Sequence, residues 1–131
     1  MTRGQPLAAP SLTPAQLALE RRLRDAGLAP PLDRDLDSGD LAALRAAGRV
    51  VRVSRTLHYH RDVLEEAQRR VLALAERGGG AVTLAQLRDE LETSRKFAQA
   101  LLEHLDSEKV TIHRGDAHYV RSAHSSARQH S

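Results

Sequence analysis

Cysteine is absent from the 131 residues, which excludes disulfide staples, thiolate metal ligands and cysteine nucleophiles and is compatible with a reducing compartment. Only Tyr59, Phe97 and Tyr119 are aromatic, too few for the stacked platform that grips long single-stranded RNA. No apolar run approaches the roughly 18 residues of a membrane helix, and Met1-Thr2-Arg3-Gly4-Gln5-Pro6 has no apolar signal core. Membrane and secretory readings lose support, and a cytoplasmic location is expected. Gly78-Gly79-Gly80 is not followed by Lys-Ser or Lys-Thr, so it reads as a flexible turn rather than a phosphate-binding nucleotide loop. No GTPase is expected in this chain.

What remains is a mildly basic chain whose charge is unevenly placed. The formal net charge is +3. Residues 61–92 carry five basic and seven acidic side chains, whereas 93–131 carry six basic, four acidic and five of the seven histidines. Positive charge therefore gathers toward one end. A chain of this length holds one ordinary domain or two small ones, and the segmentation favours two.

Thr13-Pro14-Ala15-Gln16 combines a capping residue, a first-turn proline and a glutamine at the third helical position, which predicts a helix to Ala26 that stops at Gly27. Ala29-Pro30-Pro31 breaks the pattern, and 33–40 is acidic and turn-prone, with Asp40 expected to cap a helix over 41–47. Gly48 ends that helix, and 50–53 and 57–60 read as a hairpin across Ser54-Arg55-Thr56. Leu64, Ala67, Val71, Leu74 and Ala75 then mark one face of a long helix from Asp62 to the triple glycine. Ala81 and Val82 suggest a short strand, Thr83 a cap for a helix over 84–91, and the turn around Glu92 leads into a further helix.

Helix, connector, helix and hairpin thus occur twice. The expected class is mainly α with small β-hairpins (α+β), built as tandem winged-helix modules. Residues 1–11 are expected to be a flexible N-terminus, 12–61 a reduced winged helix, 62–121 a C-terminal winged helix, and 122–131 a disordered tail.

The second module carries the most chemistry. Thr93-Ser94-Arg95-Lys96 stands immediately before an apolar helical pattern, so the helix start offers two cations together with unpaired backbone N–H groups, a combination that suits phosphate. At about 100° per residue, Phe97, Ala98, Leu101, Leu102 and Leu105 share one face, and Lys96, Gln99 and Glu103 the other. Thr93 or Ser94 caps the helix while the other can face phosphate. Residues 110–113 and 118–120 alternate across Arg114-Gly115-Asp116-Ala117, a tight hairpin whose tip can reach a groove or an extruded base. The candidate phosphate and groove contacts are Thr93, Ser94, Arg95, Lys96 and Gln99 on the helix, with His113, Arg114, Gly115 and His118 on the wing.

The run Thr93-Ser94-Arg95-Lys96-Phe97-Ala98, followed by Leu101-Leu102-Glu103, Asp106 and Gly115-Asp116, resembles the last winged-helix module of bacterial selenocysteine-specific elongation factors of the SelB type. The close similarity spans 81–121, with a looser one back to about residue 12. The resemblance implies binding of the mRNA hairpin that forms the selenocysteine insertion sequence, with ribosome and selenocysteinyl-tRNA engaged through an N-terminal part. In full-length members that part is a GTPase using GTP and Mg. This chain then looks like a C-terminal fragment or isolated module with no cofactor of its own. The family places consecutive arginines before the wing glycine and another basic residue after it, whereas this chain has Ile112, His113, Arg114 and then Ala117, His118. Imidazoles are mostly neutral at neutral pH, so a weaker electrostatic pull is expected at this wing.

Two other functions use the same fold: a DNA-binding regulator with its helix in the major groove, and a protein-docking scaffold. Such regulators usually dimerise, and no long apolar helix flanks the modules to provide a seam, so a monomer is expected. His58 and His60 have two-histidine ligand spacing, yet no carboxylate is clearly placed to complete a site, and no metal is expected. Glu103, His104 and Asp106 point in different directions on a helix and read as solvated surface rather than an acid–base pair. No catalytic residue is expected.

Overall fold

The computed structural model describes residues 11–121 and divides into two compact units between Leu64 and Glu65. Apart from Ser11, the two expected tails lie outside the described residues.

In the first unit, Thr13 and Gln16 close a reciprocal capping box at the start of α1 (Pro14–Ala26), and Gly27 takes a positive φ of 58° at its end. A single 3-10 turn, Asp33–Asp35, precedes α2 (Ser38–Ala46). The cap of α2 is Asp37 rather than the expected Asp40: its carboxylate accepts the Asp40 backbone N–H at 2.9 Å, so the helix begins at Ser38 instead of Leu41. Asp37 has the extended backbone, φ −71° and ψ 121°, that an N-cap requires. Strands β1 (Val50–Ser54) and β2 (Leu57–His60) pair antiparallel around Arg55-Thr56.

Leu19, Leu23, Leu41, Leu44 and Val50 form the core of this unit, each contributing about 1.5–3 kcal/mol of apolar burial. Tyr59 is fully buried, and its hydroxyl donates to the Leu28 carbonyl at 3.1 Å. His58 and His60 are buried as well, and the carboxylates that spacing alone does not reveal are present. His58 Nδ1 lies 3.0 Å from Asp33, and His60 Nε2 lies 2.9 Å from Glu20. Each histidine has its own acid, and Arg45 and Arg49 complete two separate networks, so the pair serves folding.

The long helix α3 (Arg61–Arg77) buries Leu64, Ala67, Val71 and Ala75, with Leu74 half-buried. In the second unit β3 (Ala81–Thr83) leads into α4 (Leu84–Leu91), opened by a second capping box between Thr83 and Gln86. Glu92, left-handed at φ 52°, ends α4. Then follow α5 (Arg95–Ser107), β4 (Thr111–Arg114) and β5 (Ala117–Val120). The strand order is β3-β5-β4, with Ala81 opposite Tyr119, so β3 enlarges the wing hairpin into a three-stranded sheet.

Helix α4 packs on α5, and α5 on β4. Glu90 of α4 receives Arg70 and Arg77 of α3 at 3.3 and 3.2 Å. Helices with small antiparallel sheets make this an α+β fold, and the second unit is a winged helix. Among the described residues no helix is long and apolar enough to cross a membrane.

Candidate nucleic-acid interface

Ala98, Ala100, Leu101, Leu102 and Leu105 are buried and fix the rotation of α5, while Phe97 is half-buried. Ser94 is the cap: its Oγ accepts the Phe97 backbone N–H at 3.3 Å. The N–H groups of Arg95 and Lys96 are left without intrahelical acceptors at the positive end of the helix dipole. Both side chains are exposed, and among the described residues neither is ion-paired. The Lys96 ammonium sits 5.3 Å from the Phe97 ring centre, which braces its stem over the aromatic face. Thr93 is half-buried and its backbone N–H donates to the Arg88 carbonyl at 3.1 Å, so it joins α4 to α5.

Between the start of α5 and the wing runs a groove of about 350 Å³. Arg95, Gln99 and Glu103 line it from the helix, His113, Gly115, Asp116 and His118 from the wing, and Leu84 and Leu102 add apolar surface. The groove therefore brings together Arg95, Gln99, His113, Gly115 and His118 of the nine sequence candidates, whereas Thr93, Ser94, Lys96 and Arg114 lie outside its lining. The Gln99 amide donates to Glu103 at 2.9 Å, which orients both groups. At the tip, Arg114 pairs with Ala117 across Gly115-Asp116, and Gly115 adopts the positive φ of 60° that this tight turn needs. Glu103 and Asp116 place negative charge in the same groove as Arg95.

His118 departs from the sequence expectation. It is 7% exposed, and its Nδ1 lies 3.0 Å from the Asp106 carboxylate. Asp106 also accepts the Thr111 hydroxyl at 2.6 Å. His118 is thus held down as part of the groove wall instead of projecting as a wing contact. His113, its cross-strand partner, stacks on it with ring centres 4.3 Å apart and planes 4° from parallel. Asp106, read from sequence as solvated surface, is half-buried and organises this corner. Its signal was in the helix period: Asp106 follows the buried Leu102 by four residues, and a carboxylate on a buried stripe needs a partner.

Residues 73–120 match the family model for the winged helix of elongation factor SelB. This segment is similar to a SelB winged helix. It contains β3, α4, α5 and the wing, and with them every residue that lines the groove. A selenocysteine-specific elongation factor from Desulfomicrobium baculatum is 31% identical over 113 residues, covering 79% of this chain. The chain spans 18% of that relative's length. Among solved structures, the mRNA-binding domain of SelB from E. coli, in complex with SECIS RNA, superposes with a TM-score of 0.66 at 26% identity. That match covers 83% of this chain and 98% of the E. coli domain. A bacterial selenocysteine-specific elongation factor, EF-Sec, shares the fold with a TM-score of 0.70 at 19% identity, over 83% of this chain and 18% of its own.

Proposed function

We propose that this chain binds the selenocysteine insertion hairpin of messenger RNA through the start of α5 and the wing, as the RNA-reading part of a selenocysteine-specific elongation factor. The observation that carries this reading is the groove between Arg95 and the wing, in a winged helix similar to one solved with SECIS RNA. Arg95 and Lys96, with the open N–H groups beside them, neutralise backbone phosphates. Gln99, Glu103 and Asp116 meet the donors of an extruded base, and the two carboxylates repel a phosphate placed wrongly in the groove. Arg114 adds a cation at the wing tip.

Binding here involves no bond making or breaking. The chain acts as a monomer in the cytoplasm, alongside the ribosome and selenocysteinyl-tRNA, and GTP and Mg belong to the GTPase of full-length family members. Replacing Arg95 and Lys96 together by alanine is expected to weaken hairpin binding by at least about tenfold and to lower the slope of log affinity against log salt by about 1.4–1.8. Fluorescence anisotropy at several salt concentrations reads both. Unchanged affinity at fixed salt would overturn the assignment.

A further inference from the structure

We propose that His113, His118 and Asp106 form a binding site for a divalent transition-metal ion with the preferences of Zn²⁺. One donor atom from each residue lies within 4.8 Å of the other two. Two imidazoles and a carboxylate are a donor set that suits Zn²⁺, at bond lengths of about 2.0–2.2 Å.

Two of the three donors already stand close to coordination spacing, since His118 Nδ1 and Asp106 Oδ2 are 3.0 Å apart. The ion takes the place of the hydrogen between them, and His118 carries its one proton on Nε2 instead, so that neutral imidazole Nδ1 is the ligand. The Thr111 hydroxyl, 2.6 Å from Asp106 Oδ1, holds the carboxylate so that Oδ2 faces the ion. His113 is the group that adjusts. With the two rings 4° from parallel, their nitrogen lone pairs do not converge, so the exposed His113 ring tilts toward Nδ1 of His118. Both histidines line the groove, so the fourth position of a tetrahedral ion opens into it. The bound dication adds positive charge to the wing.

Calorimetric titration of the full chain with ZnCl₂ in a non-chelating buffer tests the site. The wild type is expected to bind one equivalent, and His113→Ala, an exposed position that leaves the fold intact by circular dichroism, to weaken that event by at least about tenfold. A His124→Ala, His130→Ala double variant controls for the other histidines near the C-terminus and is expected to bind like the wild type. The proposal is overturned if the wild type shows no saturable one-to-one binding, if His113→Ala binds as tightly, or if the double variant loses the event.

Discussion

Asp106 decides what the wing can present. Its carboxylate holds both Thr111 and His118, so the buried histidine becomes a fixed wall and the exposed His113 lies flat against it. Asp106→Ala leaves two polar partners unmatched and is expected to cost about 2–3 kcal/mol in urea denaturation, against about 1 kcal/mol for Thr111→Val. The first unit has a comparable anchor in Glu20, 6% exposed. The hydrogen bond from His60 is the main influence holding its carboxyl below the ordinary 4.5, with Arg49, the His60 charge and Arg24 adding to it and burial opposing. A depressed carboxylate stabilises the fold above its unfolded value, and that stabilisation is lost as pH falls through the folded value. Burial likewise holds His104 below its ordinary 6.5, against a smaller upward pull from Glu108. The unfolded chain then binds more protons here, and stability falls as pH drops below 6.5 through the depressed value. Melting temperatures measured from pH 7 to pH 4 are expected to decline, with His104→Gln flattening the upper part of the decline and Glu20→Gln the part below about 4.5.

Local chemistry explains which elements were legible in the sequence. Both capping boxes, Thr13 with Gln16 and Thr83 with Gln86, span three residues, and the helices start where those residues say. The start of α2 was misplaced because Asp33, Asp35, Asp37 and Asp40 all offer cap chemistry within a few residues, and only the backbone angles choose among them. Asp37→Ala is expected to destabilise the chain by about 1 kcal/mol and Asp40→Ala by less, read as a difference in denaturation midpoints. The hairpin turn at Gly115 was also legible, since a tight turn names its own glycine. The addition of β3 to the wing was not. Three residues carry no period, and the pairing of Ala81 with Tyr119 joins positions far apart in the chain. The same long-range closure buries His118, which by local pattern alone belongs on an open wing.

Across the described residues, the groove and the exposed cations of the proposed RNA site lie in the second unit. Arg95 and Lys96 are exposed at the start of an apolar helix, as their place in the sequence implies, and Arg95 lines the groove with wing residues. Glu103 and Asp116 are the less obvious part. Acids beside cations reduce indiscriminate attraction to nucleic acid, so selectivity is expected from this surface more than raw affinity. The most direct measurement titrates the full chain, at two salt concentrations, against a selenocysteine insertion hairpin from the same genome, a scrambled hairpin of equal length and a DNA duplex. Salt-sensitive binding that prefers the native hairpin is expected. Equal binding to all three, preference for the duplex, or no binding at low salt would contradict a role in reading that hairpin.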